Sequence, residues 1–203
     1  MFEKLRVLLG MMEVRVTSDE EHAAVYKRGC RLIEPYMLLS GPTSRVDWWG
    51  RKQITSGIRD LDAVTEYNPQ NWPAFWIKGK AYQALNEPYM AYAQFHACFT
   101  MQKENPDVAR ELALSCLDIG KAQEATEVTL HAIGLTPEDA GLHANLALAY
   151  LLLGENEKAL NAIKESLKID PDDSISKTVE GLVVQVVDGK RPQPKSMADL
   201  QKP

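Results

Sequence analysis

The sequence predicts an all-α protein, an α-solenoid of antiparallel helix pairs, and three observations carry that prediction. Small and apolar residues recur at a step of 34: Gly79, Ala113, Ala147 and Gly181 form one series, Ala91, Ala125 and Ala159 a second, and Tyr82, Cys116, Tyr150 and Val184 a third. Turn residues keep the same step, with Asn86, Gly120 and Gly154 inside successive units and Pro137 and Pro171 closing two of them. Apolar residues between these turns follow helical spacing. A fixed period with small residues at two set places is what closely stacked helix pairs require.

Physical reasons support each position. Gly79, Ala113 and Ala147 must be small because two helix backbones approach there, and a larger side chain would push the pair apart. Asn86, Gly120 and Gly154 suit the left-handed conformation that ends a first helix. Pro88 then opens a helix, where its missing N–H costs nothing. One pair cannot cover its own apolar faces, so at least three units in a row are expected.

At these residues the sequence resembles the tetratricopeptide repeat family, whose unit reads roughly W-x-x-L-G-x-x-Y, then A-x-x-x-F, then P. The copy "HANLALAYLLLGENEKALNAIKESLKIDP" places Leu146, Ala147, Tyr150, Gly154, Ala159, Ile163 and Pro171 on that pattern, with His143 where a large aromatic is usual. The copy from Trp72 matches with Phe75, Gly79, Tyr82, Ala91 and Phe95, while Lys78 replaces the usual leucine and Pro106 comes late. Between them, the unit from Pro106 is in register through Leu112, Ala113, Gly120, Ala125, Ala132 and Pro137. The resemblance implies a right-handed superhelix with three repeats starting near 72, 106 and 140 within an array over 70–188.

The flanks follow in order. Residues 1–17 read as a short amphipathic helix with Phe2, Leu5, Leu9 and Met12 on one side, a candidate dimer contact; peripheral membrane binding is the lesser reading. Glu3 and Glu13 interrupt any resemblance to a signal peptide. Residues 18–69 read as a degenerate helix pair: Ser18 and Glu21 form a capping box, Gly41-Pro42 stops the first helix, Ser44 and Asp47 restart the chain, and Asn68-Pro69 ends the second. Trp48 and Trp49 project about 100° apart, which puts one in the core and one outside. "SISKTVEGLVVQVVDG" is a capping helix over 174–188, in phase with the repeats through Gly181 but without a partner helix. Residues 189–203 form a polar, proline-rich, mobile tail whose sizeable apolar side chains are Met197 and Leu200, making it a candidate to occupy the protein's own groove.

Composition excludes several classes of function. The net charge is −5, and basic and acidic residues number ten and ten over 1–68, eight and thirteen over 69–171, and five and five over 172–203. Nucleic-acid binding needs a basic stripe, and none is present. The run "LALAYLLLG" is stopped by Glu155, Glu157 and Lys158, well short of the roughly 18 residues that span a membrane. Cys30, Cys98 and Cys116 lack paired spacing, which implies buried thiols and a reducing, cytoplasmic setting. His22, His96, His131 and His143 show no metal-ligand spacing, and the "DPDD" cluster at 170–173 is a helix-start signal lacking the glycine of a calcium loop. Neither cofactor nor catalytic group is expected.

What remains is recognition. The resemblance implies that the first helix of each pair lines a concave groove for a peptide, at Trp76 and Lys80, at Arg110, Leu114 and Leu117, and at Leu148, Leu151 and Leu152. Lys80, Arg110 and Asn145 lie nearest to the carboxylate clamp of chaperone-binding members, but Leu114 and Leu148 stand where that clamp wants polar groups. The five leucines would leave several hundred Å² of apolar surface bare. The expected function is a non-catalytic scaffold or adaptor that holds a partner's apolar segment. The alternative is a secretion-type chaperone shielding a hydrophobic client, and a distant third is an enzyme or metal-binding protein using His131 and His143.

Overall fold

The computed structural model describes residues 14–37 and 46–200. All regular structure among them is helical. The helices are α1 (Asp19–Ile33), α2 (Trp48–Tyr67), α3 (Trp72–Ala84), α4 (Pro88–Met101), α5 (Pro106–Asp118), α6 (Ala122–Leu135), α7 (Ala140–Leu153), α8 (Asn156–Ile169), α9 (Ser174–Val187) and the single turn α10 (Met197–Leu200). The amphipathic helix and dimer contact expected at the N-terminus, the Gly41-Pro42 stop and Ser44 lie outside the described residues. The chain forms two compact units that divide between Met101 and Gln102. That boundary falls inside the 70–188 array, after its first helix pair.

In the first unit α1 packs along α2, α3 along α4, and α3 touches both α2 and α1. Ser18 caps α1 by accepting the Glu21 N–H at 3.2 Å. The Glu21 carboxylate reaches one residue further back than a capping box requires, taking the N–H and hydroxyl of Thr17 at 2.9 and 2.7 Å. Asp47 starts α2 by accepting the Gly50 N–H at 2.7 Å. Ile33, Ile54, Leu61, Val64, Ala74 and Ala81 are fully buried in this core, with Val14 and Val16 against its edge.

The two tryptophans depart from expectation. Trp48 and Trp49 are 59% and 64% exposed and pack on each other edge to face, with ring centroids 4.5 Å apart. They occupy the first turn of α2, ahead of the buried face that begins at Gly50 and Ile54. Gly50 already sits against Tyr36 and Val46, so neither indole is needed to close the core.

Two charged residues are buried among the described residues of the first unit, Asp60 and Lys78, and both are paired. Asp60 is fully buried and accepts two bonds from the Arg28 guanidinium, at 2.6 and 2.7 Å, locking α1 to α2. Lys78, which stands at the usual leucine place, is 5% exposed. Its ammonium donates to Asp62 at 2.9 Å and Thr65 at 3.2 Å and lies 4.7 Å from the Phe75 ring centre. The departure from the repeat pattern is thus a buried cation held by α2.

The second unit contains the pairs α5·α6 and α7·α8, with α9 lying against both α7 and α8. Each first helix ends as expected: Gly120 and Gly154 both have φ of 77°, and Asn86 in the first unit has 59°. α9 is attached through hydroxyls. Ser166 Oγ donates to the Ala140 carbonyl at 2.8 Å and lies 2.6 Å from Ser176 Oγ, which donates in turn to the α9 cap Asp173. That hydroxyl bond holds the Asp173 carboxyl below its ordinary value of 3.8, so its contribution is complete above that pH and is lost as pH falls below it. Asp173→Asn is expected to flatten the acid limb of a stability–pH profile read by urea unfolding.

The small positions behave differently in the two places tested by geometry. A Cβ on Gly79 would meet the Phe95 ring at 2.6 Å, whereas one on Gly181 meets nothing within 4 Å, because α9 has no second helix over it. Gly79→Ala is therefore expected to destabilise by about 1–3 kcal/mol through overpacking. Gly181→Ala is expected to stabilise by up to about 1 kcal/mol through helix propensity. Urea unfolding of the two variants side by side checks both signs.

Candidate functional site

The residues expected to line a peptide groove divide between the two units. In the first, Trp76 and Lys80 are neighbours one turn apart on α3, both half-buried, with the ammonium 5.5 Å from the indole ring centre. In the same unit a cavity of about 540 Å³ opens between α1 and α3, lined by Tyr26, Lys27, Cys30, Arg31, Glu34 and Ile77. Burial pushes the Tyr26 phenol up to about 12 and raises the Cys30 thiol as well. This cavity was missed from the sequence; its one signal is Tyr26 and Cys30, four residues apart on one face of a helix.

In the second unit, α5 carries Arg110, Leu114 and Leu117, and α7 carries Leu148, Leu151 and Leu152. The broad bare strip expected of these leucines is not there. Leu117, Leu148 and Leu151 are 1%, 8% and 0% exposed; Leu114 and Leu152 alone of the five remain half-buried. The reason is packing: α7 is in contact with α5, α6, α8 and α9, so most of its circumference is covered. Conversely Leu153, on the same helix, is 37% exposed. It is the last residue before the left-handed Gly154 and leaves the packed face with the turn.

Arg110 is committed within the chain. Its guanidinium donates to Asp139, the residue that caps α7 by accepting the Leu142 N–H at 3.2 Å, and lies 3.6 Å from Asp107. The arginine thus braces the start of α7 against α5. His131 and His143 are likewise occupied, their Nε2 atoms lying 2.8 Å from the Lys103 carbonyl and 2.9 Å from the Pro137 carbonyl. A nitrogen facing a carbonyl at that distance carries the proton, which leaves the lone pair of each ring on Nδ1. Among the described residues no cluster of three or more metal-binding side chains occurs.

With α7 and α8 placed, comparison with known proteins gives the decisive match: the model of the tetratricopeptide repeat family covers residues 140–173, from the first residue of α7 through the turn after α8. Residues 140–173 are a tetratricopeptide repeat. Among solved structures, MamA (residues 41 to the end) from Desulfovibrio magneticus RS-1 superposes with a TM-score of 0.69 at 17% identity, covering 86% of this chain and 90% of that one. YrrB, described as a TPR protein with an unusual peptide-binding site, superposes with a TM-score of 0.60 at 14% identity, covering 80% and 84%. These likenesses establish the fold alone. Protein FlbA of Caulobacter vibrioides is 27% identical over 120 residues, which is 59% of this chain. The chain spans about 20% of the length of FlbA.

The repeat fold also explains the thiols. Cys98 and Cys116 are fully buried, and burial pushes both up to about 12. Neither they nor Cys30 is in a disulfide. Thiolate is the reactive form, so native protein at pH 8 is expected to resist alkylation at all three positions. Mass spectrometry after iodoacetamide should find them modified only once denaturant is added.

Proposed function

We propose that the chain is a non-catalytic scaffold that binds a protein partner, taking an apolar segment against α5 and α7 of the second unit. The observation that carries the reading is the pair Leu114 and Leu152. They stand at groove-facing places on adjacent first helices and keep part of their side chains in water, in a core where Leu117, Leu148 and Leu151 do not. The fold is one used for protein recognition, and YrrB bears a peptide-binding site on it. Leu148 and Leu151 act as the floor of the surface, and Arg110 acts on it indirectly by bracing α7.

Trp76 and Lys80 are a separate recognition surface on the first unit. An indole with a cation beside it suits a peptide that brings apolar and acidic side chains together. The protein works in a reducing compartment, the cytoplasm, which fits three unpaired thiols. No helix among the described residues is long and apolar enough to cross a membrane.

Leu114→Glu with Leu152→Glu is expected to cut recovery of the dominant co-purifying protein about tenfold or more, the loss that about 1.4 kcal/mol produces. The far-ultraviolet circular dichroism of the double variant should match wild type, since neither leucine is fully buried. Undiminished recovery by the folded variant would remove this surface from the partner contact.

A further inference from the structure

The tail beyond α9 is described through Leu200, and its bonds show where it goes. Gly189, at φ 69°, reverses the chain, and the N–H groups of Lys190 and Arg191 both donate to the Gln185 carbonyl, at 2.9 and 3.0 Å. The Arg191 guanidinium then closes the segment on itself by donating to the carbonyls of Asp199 at 3.1 Å and Leu200 at 2.9 Å. Asp199 completes the closure by accepting the Lys195 N–H at 3.1 Å and the Ser196 hydroxyl at 2.9 Å. Pro194 and Leu200 are buried, the latter 9% exposed.

One side chain joins this hook to the repeat. Gln193 Nε2 donates to the Leu151 carbonyl, 42 residues earlier, in the last turn of α7. That carbonyl already receives the Gly154 N–H at 3.1 Å, so Gln193 satisfies its second lone pair. Leu151 and its neighbour Leu152 belong to the face assigned above to the partner. A charged, proline-containing segment lacks the composition to fold by itself. Here Gln193 takes a carbonyl of α7, and Pro194 and Leu200 are buried.

We infer that residues 190–200 are a tethered occupant of the partner face at the C-terminal end of α7, and that a partner must displace them. The inference rests on the reading that this face binds peptides and adds what it binds. The displacing segment carries a side-chain amide or equivalent donor for the Leu151 carbonyl, followed by a leucine-sized side chain at about the seven-residue spacing of Gln193 and Leu200. Because the tail is joined to α9, its effective concentration at the face is on the order of millimolar, enough to exclude weak competitors.

The test uses the full chain and a fluorescein-labelled peptide of residues 189–203 as probe. Hydrogen exchange should show protected amides over 190–200 in wild type, and the peptide should bind wild type poorly. In R191A/L200D the tail amides should lose protection while α7–α9 keep theirs, and the peptide should bind at least tenfold more tightly. Adding Leu152→Glu to that variant should abolish the gain. Q193A, which leaves both apolar contacts in place, should show an intermediate gain if the double variant is poorly folded. Equal peptide binding to wild type and the released variants overturns the inference. So does a gain that Leu152→Glu leaves intact, which would place the tail elsewhere and leave the partner face standing on its own evidence.

Discussion

The close approach of the two helices within each pair is the constraint on which the rest depends. At Gly79 the first helix comes so near the second that the Phe95 ring lies where a Cβ would be. Ala113 and Ala147 occupy the corresponding places in the second unit and are fully buried. A pair held that tightly still has uncovered apolar sides, and only further helices can cover them. That is why α7 is enclosed by α5, α6, α8 and α9, and why α9 has a buried face and an open one.

Polar groups inside the stack set the direction of packing where apolar contact leaves it free. Asp60 with Arg28, and Lys78 with Asp62 and Thr65, each connect helices on either side of a loop. Ser166, Ser176 and Asp173 do the same for α9. A buried charge stripped of its partner is costly, while a swap of the whole pair for apolar groups can be nearly neutral, so such pairs specify geometry more than they add stability. Arg110 belongs with them: its carboxylate partner is a helix cap, and the bond sets the relation of α5 to α7.

The partner face is narrower than leucine count alone suggests. Three of its five leucines are consumed as stacking material, and the C-terminal hook lies against the end of α7. A surface formed from two half-exposed leucines over a buried floor is modest in area, and a segment tethered beside it competes there at high effective concentration. Tail and face are therefore best regarded as one device.

Much of this was legible in the residues themselves. The step of 34, the left-handed Asn86, Gly120 and Gly154, the caps Ser18 and Asp47 and the small places at Gly79, Ala113 and Ala147 are local demands, met by residue type wherever the chain goes. Burial on the groove side is different, because Leu148 and Leu152 have the same chemistry and only the neighbouring helices decide which one water reaches. The same holds for Trp48 and Trp49, for the carboxylate that Arg110 finds in Asp139, for the cavity beneath Tyr26 and Cys30, and for the tail that Gln193 ties to Leu151. Helical periodicity acts over a few residues and can be read along the chain. Which faces are covered depends on contacts 29 to 42 residues apart, and those exist only once the helices have packed.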